Sequence, residues 1–123
     1  MQSTKSLKLA ILALFIITLV IFSGCAGTAP SINYAPIIIS LTADTSNHIE
    51  VNQSTTITCY AFDQDNNQLT YTWTKSGGTI VGSDSAVIWT APATAGAYTI
   101  ACTVSDGELT ATQDFMIQYL HQV

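Results

Sequence analysis

Two short acidic stretches hold most of the oxygen-donor chemistry of this chain. Asp63, Asp65 and Asn67 alternate in FDQDNNQ, and Asp106 and Glu108 flank a glycine in SDGEL. Carboxylates and amides at alternating loop positions suit a hard cation such as Ca²⁺, which is bound through oxygen. The familiar calcium-loop pattern, with a glycine at the sharp turn and a closing bidentate glutamate, is absent. The same residues also do turn chemistry, because Asp and Asn accept hydrogen bonds from their own backbone and tolerate left-handed conformations. Asp63, Asp65, Asp106 and Glu108 therefore stand either as the ligands of one Ca²⁺ or as the builders of two turns.

Other chemistry is scarce. His48 and His121 are the only histidines, one in the turn after the β-type run at 37–43 and one in the tail. Neither has the spacing of a zinc site, and neither sits where it could serve a serine nucleophile as base. Gly77-Gly78 reads as a hairpin turn, not a phosphate loop. The expectation is that the chain is not an enzyme and carries no dissociable cofactor.

The bulk composition narrows the partners. The 123 residues leave room for one domain and a leader. There is no arginine, and the lysines are Lys5, Lys8 and Lys75. Beyond residue 24 one lysine faces eight carboxylates, a net charge of −7. That excludes nucleic acid, which must be neutralised by several cationic side chains.

The cysteines, at 25, 59 and 102, fall in two settings. Cys25 follows an apolar run, residues 9–22, in which Thr18 is the one polar side chain. Fourteen residues are short of the roughly 20 that span a bilayer. With Lys5 and Lys8 ahead of it and small residues behind, the run fits a secretory signal; an uncleaved short anchor is the alternative. Phe22-Ser23-Gly24-Cys25 resembles the lipobox of bacterial lipoproteins. That resemblance implies a signal peptide over 1–24, a diacylglyceryl group on Cys25, and a membrane contact made through lipid. Ala26 follows the cysteine in place of an aspartate, which in that family favours the outer membrane. Residues 25–35 read as a lipidated tether.

Beyond the tether the pattern is β. Runs rich in Thr, Ile, Val and aromatics at 37–43, 54–62, 69–75, 79–81, 86–89, 96–105 and 109–119 alternate with turn clusters. Seven short strands predict an all-β sandwich over 36–120, with 121–123 as a tail. Period-two alternation puts Ile57 and Cys59 on one face of the second run, and Ile100, Cys102 and Val104 on one face of the sixth. Apolar faces of two sheets meet in a sandwich, and secretion favours oxidation, so Cys59 and Cys102 are expected to form a disulfide. Two buried thiols are the alternative. Tyr71 and Trp73 are expected inside, Tyr60 outside and Trp89 in the core.

The order Cys59, Trp73, Cys102 resembles an immunoglobulin-like sandwich, in which the tryptophan packs on the bridge. The tyrosine that such domains place shortly before the second cysteine falls here at Tyr98, with Ile100 nearer. A further resemblance, to polycystic-kidney-disease (PKD) type domains, rests on Ala61-Phe62-Asp63-Gln64-Asp65, Leu69-Thr70-Tyr71-Thr72-Trp73, Trp89-Thr90-Ala91-Pro92 and Val104-Ser105-Asp106-Gly107. It implies a structural or protein-interaction module on the cell envelope, facing an envelope protein or a glycan. The alternative function is a carbohydrate- or calcium-dependent binding or adhesion module. In such a sandwich the tether should leave from the end holding Asp63 and Asp106.

Overall fold

The computed structural model describes Gly27 and residues 29–45 and 49–119. The expected signal peptide, Cys25, His48 and the 121–123 tail lie outside the described residues. Seven strands follow one another: β1 (Ile37–Ala43), β2 (Ser54–Phe62), β3 (Thr70–Lys75), β4 (Thr79–Val81), β5 (Ala86–Thr90), β6 (Gly96–Ser105) and β7 (Thr110–Tyr119). They form two antiparallel sheets, one in the order β1-β2-β5-β4 and the other β3-β6-β7. Among the described residues there is no helix.

Alternation along the strands builds the core. Ile57, Cys59, Val87 and Trp89 come from the first sheet and Ile100, Cys102 and Val104 from the second, all of them buried. Trp89 is fully enclosed, and its indole N–H donates to the Gly77 carbonyl at 2.9 Å, so the large apolar ring keeps its one polar atom satisfied. The turn at Gly77 and Gly78 is shaped by this ring. Gly78 has φ +79°, and a Cβ there would run into the Thr90 carbonyl and the Trp89 indole. Only glycine meets both demands.

β1 departs from simple alternation. Its register with β2 shifts between Ile38 and Ser40, so that Ile39 is an extra residue. Ile38 stands opposite Ala61, Leu41 opposite Cys59 and Ala43 opposite Ile57. The bulge thus lets Ile38 and Leu41, three positions apart, both turn to the core, and it leaves Ile39 66% exposed. Because β1 is an edge strand, the bulge also spoils it as a template for another chain.

The strand directions put three connections at one end: residues 63–69, 82–85 and 106–109. The first strand starts at that same end, and β7 finishes at the opposite one.

Candidate functional site

The acidic end is built from two self-capped turns. Asp63 is 8% exposed, and its Oδ1 accepts from the backbone N–H groups of Asp65 (2.9 Å) and Asn67 (3.0 Å). Asn66 takes φ 59°, which an asparagine tolerates. In the other turn, Asp106 Oδ1 accepts from the N–H groups of Glu108 at 2.7 Å and Leu109 at 2.6 Å. These two backbone donors hold the Asp106 carboxyl below its ordinary range, with the Asn33 amide adding to the effect. Gly107, at φ +105°, supplies the left-handed step of the turn.

Asn33 and Tyr34 tie the two turns together. The Asn33 amide donates to Asp106 Oδ2 at 3.1 Å and to Glu108 Oε2 at 3.3 Å. Its carbonyl oxygen accepts from Asn67 Nδ2 at 2.9 Å. The Tyr34 backbone N–H donates to Asp65 Oδ2 at 2.7 Å. The expected Ca²⁺ ligands Asp63, Asp65, Asp106 and Glu108 do lie at one end, but they are engaged with turn N–H groups and with these two residues. Among the described residues no three His, Cys, Asp or Glu side chains converge to hold a metal ion. One oxygen stands apart: Asp63 Oδ2 is buried and finds no hydrogen-bond partner among the described residues. The pattern of Asp and Asn in the loops signalled the turns; nothing in the sequence around Asn33 signalled its part in them.

The cysteines meet in the core in their reduced state, and the expected disulfide is not seen between them. Cys59 and Cys102 are free thiols, 1% and 0% exposed, and share a side-chain hydrogen bond. Burial pushes both thiols up, Cys102 to about 12, and the bond to Cys59 adds to the rise at Cys102. Each thiol is therefore neutral and poorly nucleophilic at ordinary pH.

Trp73 faces the core, as expected, but sits shallower than Trp89. It stands opposite Cys102 on β3, but β3 is an edge strand, so the ring is only half buried. Its N–H donates to the Asp84 carbonyl at 2.9 Å. Tyr71, likewise half buried, joins Trp73, Lys75 and Ile80 around an open cleft of about 360 Å³ between β3 and β4. Tyr98 caps the β5–β6 connection, its hydroxyl donating to the Thr94 carbonyl and its ring tilted against Trp89 with centroids 6.1 Å apart. It closes the corner that the sequence pattern sought nearer the cysteine.

Residues 33–118 match the family described as bacterial Ig domain. The chain belongs to that family. The match opens at Asn33, the residue that joins the two acidic turns. Among solved structures, the chain is similar to the PKD1 domain of Epp from Vibrio anguillarum, at 27% identity and a TM-score of 0.56. That likeness covers 74% of this chain and the whole of the other. No curated protein matches the sequence. Strand order β1-β2-β5-β4 against β3-β6-β7 is the seven-stranded arrangement of constant-type immunoglobulin domains. An Ig-like domain of this kind is a structural or interaction module.

Proposed function

We propose that this chain is a lipid-anchored protein of the bacterial cell envelope, most at home on the outer membrane. Its bacterial Ig domain presents a surface to a neighbouring envelope protein and does no catalysis. The observation that supports this best is the pairing of Phe22-Ser23-Gly24-Cys25, behind an apolar run, with an Ig domain whose family match opens at Asn33. Two or three acyl chains on Cys25 would anchor the domain durably, since each buried methylene contributes about 0.8 kcal/mol. In the oxidising envelope Cys59 and Cys102 would close to a disulfide. Mass spectrometry of the mature N-terminal peptide tests the anchor: the reading expects Cys25 as the first residue, carrying diacylglycerol. An intact leader with an unmodified thiol contradicts it.

A glycan-binding reading has one feature in its favour, the cleft that Tyr71 and Trp73 line. Exposed aromatic faces stack on sugar rings, and a glycan array read against Trp73→Ala separates the two readings. Calcium keeps a narrower support in the unpartnered Asp63 Oδ2. Calorimetric titration that shows neither heat nor a rise in melting temperature removes it.

A further inference from the structure

The outward face of the four-stranded sheet carries no charge. None of β1, β2, β4 and β5 contains Asp, Glu, Lys or Arg. Four of its exposed apolar residues gather at the β1–β2 corner, while Ile88 and Val81 form a smaller pair across β5 and β4. Ile37 pairs with Phe62 across β1 and β2, and the bulged Ile39 lies beside Tyr60, which stands opposite Ser40. Their exposures are 48%, 46%, 66% and 56%. A contiguous exposed patch of this kind marks a contact surface.

The position of the corner decides what covers it. It lies at the end of the sandwich where β1 begins, next to Asn33 and Tyr34, which are hydrogen-bonded to the acidic turns. Residues 26–32 are all that separates this point from Cys25, a reach of about 23 Å when extended. A domain held that close by its acidic end brings this corner within reach of the lipid. Tyr60 matches the chemistry of the lipid–water interface, where amphipathic rings collect, and Ile37, Ile39 and Phe62 beside it supply apolar area that can enter the acyl boundary. A second copy fits less well: a stable dimer needs about 800 Å² from each partner, more than four half-exposed side chains supply. The bulge also works against edge-to-edge pairing through β1.

We infer that Ile37, Ile39, Tyr60 and Phe62 form a membrane-resting corner, a second contact that lays the domain against the lipid interface beside its anchor. This rests on the lipid-anchor reading. With one lysine against eight carboxylates beyond residue 24, the lipid it suits is zwitterionic.

The test uses the full lipidated chain in vesicles of phosphatidylcholine and phosphatidylethanolamine. A nitroxide is placed at Ser40→Cys, in the corner, or at Thr94→Cys, at the far end; Cys59 and Cys102 are buried away from the label. The corner label is expected to be severalfold more accessible to oxygen than to a water-soluble nickel complex, and the Thr94 label the reverse. Tyr60→Ser/Phe62→Ser should abolish the oxygen preference at Ser40 while vesicle flotation and melting temperature hold. If the chain floats but both labels favour nickel, the corner does not touch lipid and the inference falls, leaving the anchor intact. If the unsubstituted chain does not float, the anchor reading fails and the inference with it. Spin–spin broadening between Ser40 labels without oxygen preference would assign the corner to a second copy and overturn the inference.

Discussion

Asn33 and Asp106 stand 73 positions apart and are joined by a 3.1 Å hydrogen bond from the asparagine amide to the aspartate carboxylate. The same amide reaches Glu108, and its carbonyl oxygen receives Asn67. One side chain at the head of the domain thereby bridges the β2–β3 and β6–β7 connections. Asn33→Ala is expected to lower the melting temperature and loosen both turns, seen as faster amide exchange at Glu108 and Leu109. Asn33→Asp should lower it further at neutral pH, because it sets a third carboxylate against Asp106 and Glu108. Unchanged melting in both variants would mean that the bridge contributes nothing to stability.

Acid should release the Asp106 turn. Its folded carboxyl sits below the ordinary 3.8, held there first by the Leu109 and then by the Glu108 backbone N–H. A depressed carboxylate contributes stability that is present above its unfolded value and is lost as pH falls through the folded one. Titration of Asp106 by NMR should therefore show a midpoint below 3.8, and Asp106→Asn should flatten the acid limb of the stability curve. A midpoint at or above the ordinary value would contradict these hydrogen bonds.

The thiol pair makes the opposite prediction at the alkaline side. Reduced Cys102 is raised from 9.0 to about 12, so its contribution is whole below pH 9 and is lost as pH rises toward 12. Reduced protein should lose stability over that window, and oxidised protein should lack that component. Closing the 59–102 loop should add about 4 kcal/mol in the chain-entropy account. Denaturant midpoints measured with and without reductant check both; identical midpoints would show that no bridge forms.

The two tryptophans should not be equivalent. Trp89→Ala removes a fully buried ring and is expected to cost about 4 kcal/mol. Trp73→Ala, on an edge strand and half buried, should cost about half as much. Urea unfolding of each variant distinguishes them, and a larger loss at Trp73 would return the central packing role to that residue.

The sequence pattern carried most of the fold. Runs of β-branched and aromatic residues between turn clusters mark β1, β2, β4 and β6 with the bounds that the structure has, and period-two alternation turns Ile57, Cys59, Ile100, Cys102 and Val104 inward. β3 begins at Thr70 and not at residue 69, β5 runs on to Thr90, and β7 starts at Thr110. Alternation says which way a side chain points, not how far a strand lies from the sheet edge, and so Trp73 was expected deeper than it sits. It is also blind to an extra residue, which is why the Ile39 bulge was not visible. Asn33 was illegible for a different reason: its partners are distant in sequence, and an asparagine in a stretch with Ala, Pro and Ser reads as tether. The orphaned oxygen of Asp63 arises from loop packing, which no local pattern encodes.

The central claim is that Cys25 carries the lipid that fixes this Ig domain to a membrane. Replacing Cys25 by serine and fractionating cells with a carbonate wash tests it most directly. The account predicts that the wild-type chain stays with the membranes, while Cys25→Ser moves to the soluble fraction with an unchanged melting temperature. A Cys25→Ser chain that remains in the washed membranes would contradict it and mark residues 9–22 as an uncleaved anchor.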